Sequence, residues 1–188
     1  LKLAVKLEGH PDNVAPALVG GMTVALTEGE TAFAAPITVP DELQFVVLIP
    51  DISLSTQKAR SVLEPVVPRQ DAVFNIGRAA LFVAGIATNR PEYLRIATQD
   101  RLHQDARQKV FPAMKPIFKN AIAAGAKGVF LSGAGPCVVA ITTRSENRAQ
   151  TIGYEMADAA DKSRIGGTFR VLDIAKTGAQ TIALGIED

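Results

Sequence analysis

Apolar residues recur at two spacings along this chain, and the change from one to the other marks its elements. Leu1, Leu3, Ala4 and Leu7 sit at amphipathic spacing, as though a helix were entered partway along. Pro11 suits a first helical turn, where no amide donor is needed, and the small residues after it predict a helix stopping at Gly20-Gly21. Residues 22–26 and 31–39 read as strands joined by the charged turn Glu28-Gly29-Glu30. Phe45-Val46-Val47-Leu48-Ile49 is a continuous apolar run closed by Pro50, the mark of a buried strand.

Further on the helical period dominates. Residues 53–63 predict a helix that Ser53 or Ser55 can cap. Residues 71–88 are apolar almost all round (Val73, Phe74, Ile76, Leu81, Phe82, Val83, Ile86), which predicts a buried helix, with a homodimer contact as the other use of such a surface. Pro91 opens a helix running to about 110, and 112–124 predicts another, ended by Gly125. Val129-Phe130-Leu131 and Val138-Val139-Ala140-Ile141 are short strands flanking a Gly-rich turn; 146–161 is helical and 168–175 is the last strand. Strand, helices, two strands, helix, strand is the order of an α+β fold, a split β-α-β (ferredoxin-like) layered sandwich with helices on its sheet. Pro40-Asp41-Glu42 is the expected junction, so 1–41 would finish one domain and 42–188 form a second.

Composition narrows the partners. At 188 residues the chain can bury one good core, or a small domain plus part of another. Its 47% hydrophobic and 21% charged residues are ordinary for a globular protein, and a net charge of +1 with scattered Lys and Arg points to no nucleic acid. No apolar run approaches the ~20 residues that span a bilayer, so no membrane partner is expected. Cys137 is the single cysteine, reads as a small apolar strand residue and fits a reducing cytoplasmic compartment.

Four polar clusters interrupt the scaffold. In Glu8-Gly9-His10-Pro11-Asp12-Asn13 the side chains of His10 and Asp12 can point toward one pocket, or Asp12 or Asn13 can cap the helix that follows. Thr56 and Arg60 are four apart and share a helix face, where a hydroxyl beside a guanidinium makes a carboxylate clamp; an exposed cationic helix is the alternative. His103 and Arg107 repeat that spacing, with Arg101 on another face, and an ordinary charged helix would read the same. Ser132-Gly133-Ala134-Gly135-Pro136 lies between two apolar strands, where a tight hairpin with positive φ also accounts for its glycines.

Together these segments carry a resemblance. Glu-Gly-His-Pro-Asp-Asn-Val-Ala-Pro-Ala-Leu-Val-Gly-Gly at 8–21 resembles the segment after the active-site helix of homoserine kinases, in the GHMP family of small-molecule kinases. Leu131-Ser132-Gly133-Ala134-Gly135-Pro136-Cys137 is similar to that family's third motif, and Ser55-Thr56-Gln57-Lys58-Ala59-Arg60 to its Ser-Thr-x-x-Ala-Arg stretch. Residues 100–107 are similar to its Asp-Arg-Leu-His-Gln-Pro-Tyr-Arg pattern, from which Asp105-Ala106 depart by losing a proline and an aromatic pocket wall.

The resemblance implies phosphoryl transfer from ATP, with Mg2+, to the hydroxyl of homoserine on the way to threonine. It implies substrate contacts at His10, Asp12, Asn13, Thr56 and Arg60, with Asp12 suited to the ammonium and His10 to a hydroxyl or carboxylate. It makes Arg107 catalytic, facing substrate or the phosphoryl group, and has Ser132, Gly133, Ala134 and Gly135 brace the ATP phosphate loop. Glu8 is the one acid near the expected metal position, and the metal ligand stays open. The family's Pro-x-x-x-Gly-Leu-Gly-Ser-Ser-Ala loop does not occur in residues 1–188, so the chain reads as the C-terminal portion of such a kinase. Residues 1–41 would then close the family's N-terminal domain and 42–188 would be its C-terminal domain. Another GHMP kinase, or a non-catalytic amino-acid-binding domain, are the alternatives.

Overall fold

The computed structural model of the chain describes residues 1–182. Packing divides it into two compact units, Leu1–Val39 with the segment from Ile174, and Pro40–Asp173. The sequence pattern places 42–188 in one domain; by packing, the chain from Ile174 goes with the first unit. Residues 183–188 of that expected second domain lie outside the described residues.

In the first unit α1 (Lys2–Glu8) ends at Gly9, whose φ of 88° is a left-handed helix cap. His10, in extended backbone, precedes α2 (Pro11–Val19), which places Pro11 at the first helical position. β1 (Met22–Glu28) and β2 (Thr31–Ile37) pair antiparallel, Met22 opposite Ile37 and Glu28 opposite Thr31. The returning chain is tied back by backbone hydrogen bonds: Gly21 N–H donates to Ala175 at 2.7 Å and Ala179 N–H to Ala17 at 2.9 Å.

The second unit runs β3 (Leu43–Ile49), α3 (Thr56–Ser61), α4 (Arg69–Ala87), α5 (Leu94–Ala97), α6 (Gln104–Arg107), α7 (Met114–Ala123), β4 (Gly128–Leu131), β5 (Val138–Thr143), α8 (Ala149–Lys162) and β6 (Thr168–Leu172). Its sheet has the order β4-β5-β3-β6 with every neighbour antiparallel, the split β-α-β arrangement expected from the element order. The core forms where α7 and α8 meet the sheet: Val46, Leu48, Ile117, Val138, Ile152 and Met156 are fully buried. Gly153 lets α8 approach β6, because a Cβ there would fall 2.2 Å from the Phe169 ring.

Two expected helices differ. The helix from Pro91 to about 110 is broken into a 3-10 turn, α5 and the one-turn α6. The Asp100 carboxylate accepts the amides of His103 and Gln104, so local side-chain bonding replaces the helical ladder. α4 forms, but its apolar surface is not all core: Val73 and Ile76 are 61% and 68% exposed, and its buried residues are Gly85 and Ile86 near its end. Phe74 in its first half lies instead under cations, with the Arg78 and Arg101 guanidinium carbons 3.0 and 4.0 Å from its ring centre.

Ile152→Ala is expected to cost about 2–5 kcal/mol in urea unfolding, since it empties a sealed core position. Ile76→Gln on exposed α4 is expected to change stability by less than about 0.5 kcal/mol. Equal losses at the two positions would contradict this placement of the core.

Candidate active site

Three of the sequence clusters converge inside the second unit on one guanidinium. Arg107 is only 8% exposed. Its Nε–H donates to Ala59 O at 3.3 Å, on α3 beside Arg60, and its Nη1 donates to Gly133 O at 3.0 Å, in the β4–β5 turn. A second Nη1 bond reaches His103 Nδ1 at 3.0 Å. None of these three acceptors is a carboxylate, so the cation is held in place without being neutralised by contact. Burial lowers the Arg107 pKa from its ordinary value, the Asp100 charge opposes that, and Arg60 is near enough for its own charge to lower it further. Arginine stays protonated regardless.

Asp100 anchors this arrangement. Its side chain is 6% exposed, with Oδ2 accepting the His103 and Gln104 amides at 2.7 and 2.6 Å and Oδ1 accepting Asn75 Nδ2 of α4 at 2.6 Å. Burial alone would raise its pKa, but the Gln104 and His103 amides, Asn75 and the His103 charge outweigh it and hold the carboxyl below its ordinary range. Burial pushes the His103 ring below its ordinary 6.5; Asp100 pulls it up and Arg107 pushes it down again.

The same loop seals the edge of the sheet. Gln104, buried, accepts Leu131 N–H at 2.8 Å and donates to Thr98 O at 3.2 Å, while Thr98 Oγ1 accepts Val129 N–H at 3.3 Å. Side chains thereby occupy the open edge of β4, which feeds directly into the Gly-rich turn. In that turn Gly133 and Gly135 take φ of 55° and 83°, and Ser132 N–H and Cys137 O close it at 2.9 Å. Ser132 is exposed, and Ala134 half-buried.

Thr56 opens α3 behind the Ser55 cap, whose Oγ accepts Lys58 N–H at 3.2 Å, and Thr56 and Arg60 are both exposed. Among the clusters, Ser55–Arg60, Asp100–Arg107 and the Gly-rich turn are thus brought together. His10, Asp12 and Asn13 belong to the first unit, where Asp12 Oδ1 accepts the Asn13 amide at 3.0 Å and no side chain caps α2. Sequence reasoning quoted Asp100 and His103 but gave them no role. The signal available was an Asp three and four residues ahead of the amides it accepts, a capping spacing hidden by the assumption of one continuous helix.

The profile described as "GHMP kinases C terminal" matches residues 82–162. The chain carries a GHMP kinase C-terminal domain. It is 50% identical over 139 residues to a homoserine kinase of Caldicellulosiruptor bescii, covering 74% of this chain and 45% of that one. It is 38% identical over 185 residues to a homoserine kinase of Microchaete diplosiphon, covering 98% of this chain and 60% of that one. The crystal structure of homoserine kinase from Cytophaga hutchinsonii superposes with a TM-score of 0.84 at 31% identity, over 90% of this chain and 53% of that one. The chain spans about half the length of the curated relatives it matches. In this GHMP kinase domain, no described helix is long and apolar enough to cross a membrane.

The electrostatics set a pH dependence. Because the folded His103 pKa lies below 6.5, the unfolded chain takes up that proton first. The stability tied to the neutral ring is whole above about 6.5 and is lost as pH falls toward the folded value. The Asp100 share is whole above 3.8 and is lost as pH falls through its depressed folded pKa. Urea midpoints are therefore expected to drop from about pH 7.5 to 5, and His103→Asn to shrink that drop. A midpoint that rises over this range would contradict the assignment.

Proposed function

We propose that this chain furnishes the substrate side of ATP-dependent phosphoryl transfer to the hydroxyl of L-homoserine, giving O-phospho-L-homoserine for threonine biosynthesis. The observation that carries the reading is Arg107, a buried guanidinium held by neutral acceptors beside a second guanidinium, Arg60, at a Gly-rich turn. Such a site suits an anion: the substrate carboxylate, or the oxygens of the group in transfer. Thr56 and Arg60 on α3 suit the carboxylate. His10, Asp12 and Asn13 are assigned to the ammonium and hydroxyl on the resemblance of 8–21 and the names of the relatives. Ser132, Gly133, Ala134 and Gly135 would brace the phosphate side.

Residues 1–188 contain no Gly-Leu-Gly-Ser-Ser-Ala loop, and among the described residues no group of three His, Cys, Asp or Glu is arranged to hold a metal ion. ATP and Mg2+ therefore enter this reading as requirements of the reaction, with no residue of this chain assigned to hold the metal. What this chain does is bind and orient: it holds the amino acid so that its hydroxyl attacks in line, with the Arg107 cation facing the substrate carboxylate and the group in transfer beside it.

Calorimetric titration with L-homoserine tests the reading. The chain is expected to bind it, and Arg60→Ala and Arg107→Ala each to weaken binding about tenfold or more, the loss of a charged hydrogen bond. Lys162→Ala, whose partner is the surface residue Asp158, is expected to change nothing. Absent binding, or tighter binding of a different small alcohol or acid, would overturn homoserine as the substrate.

A further inference from the structure

We infer that His103 is the positioning residue for Arg107: as a neutral ring with its proton on Nε2 it holds the guanidinium, and a second proton releases it. What Arg107 then does rests on the functional reading above, but the evidence for the hold is geometric. An arginine N–H can only donate, so at 3.0 Å the His103 Nδ1 facing Nη1 must offer a lone pair. The ring's other nitrogen lies 3.5 Å from Asp100 Oδ1, the side on which a proton is electrostatically welcome. Asp100 cannot leave the ring to meet the arginine, because the His103 and Gln104 amides and Asn75 fix both of its oxygens. The imidazole is thus clamped between a carboxylate and a guanidinium, which selects one tautomer.

A proton on Nδ1 would set N–H against N–H across 3.0 Å and place a third positive charge next to Arg107 and Arg60. The groups facing the ring and its partners are Asp100 on its own loop, Arg107 on α6 and, behind that, Arg60 on α3. From α4 the neutral Asn75 reaches Asp100, and Asp71 is paired with Arg101 at 3.3 Å. The Gly-rich turn contributes the Gly133 carbonyl. The Ala59 and Gly133 carbonyls already hold other Arg107 hydrogens, and Asp100 is tied to the His103 and Gln104 amides and to Asn75, so loss of the His103 lone pair leaves that hydrogen without the acceptor now facing it. Protonation therefore frees one end of the fork and leaves the arginine less ordered for an anion.

Nuclear magnetic resonance of the ring nitrogens tests the tautomer directly, with His103→Asn assigning the signal, since the chain has 2 histidines. The Nε2–H form is expected at about pH 7.5, and an Nδ1–H form would overturn the inference. The Arg107 Nε–H resonance, assigned with Arg107→Lys, should be sharp above the His103 titration and exchange-broadened below it; a signal indifferent to that titration would also overturn it. Homoserine affinity by calorimetry should fall about tenfold in the native chain as pH drops through the His103 titration that the ring resonances report. His103→Asn, whose amide oxygen takes the Nδ1 position, should keep the affinity and lose the pH dependence, whereas His103→Ala should bind weakly throughout. The same pH dependence in His103→Asn as in the native chain would refute the role of the ring. If the native chain takes no homoserine at any pH, the functional reading fails, and the two resonance measurements still decide the role of His103. Should His103→Ala fail to fold, the asparagine variant and those measurements suffice.

Discussion

A guanidinium buried with neutral acceptors is the constraint on which the rest of this site depends. Removing an arginine from water is costly unless its hydrogens find partners, and a contacting carboxylate would satisfy them most cheaply. Arg107 has instead two backbone carbonyls and an imidazole nitrogen, with the Asp100 carboxylate set one residue back behind the ring. Its hydrogen-bonding demand is partly met, and its charge is offset only by Asp100 from behind the ring, not by a contacting carboxylate. On the proposed function, that cation is what an incoming anion would meet.

Everything nearby serves to keep those acceptors in register. The Gly133 carbonyl is presented by a turn whose two glycines take positive φ, and the turn is fixed because β4 is fixed. β4 is an edge strand, and Gln104 and Thr98 bond its amides in place of a further strand. The loop supplying them is itself folded around Asp100. The Ala59 carbonyl comes from a short helix capped by Ser55, with Ala59 fully buried against the rest. A guanidinium positioned by three separate elements cannot drift with any one of them, which is the condition for orienting a small, highly charged substrate.

How much of this was legible in the sequence depends on whether the deciding interaction was local. The continuous apolar run at Phe45-Val46-Val47-Leu48-Ile49 reads as a buried strand, and it forms β3, an inner strand whose Val46 and Leu48 are fully buried while Ile49 at its end is exposed. Pro11 at a helix start, Gly20 at a helix end and Ser55 as a cap are chemistry of single residues, and each stands where the pattern put it. The break within 91–110 was hidden because Asp100 competes with the helix through its side chain, an effect periodicity does not register. The exposure of Val73 and Ile76 was hidden for a different reason: an apolar helix shows that it could be buried, not that a partner surface exists. The convergence of Arg60, Arg107 and Gly133 is long-range and came into view in the sequence only as a family resemblance.

The most direct test is to follow the backbone amide resonances of the chain while L-homoserine is added. If the arginine site holds the substrate, the shifts should centre on Arg60, Arg107, Gly133 and Ala134 and should saturate together. Shifts confined to another surface, such as the open groove lined by Arg95, Lys115, Phe118 and Lys119, would contradict it.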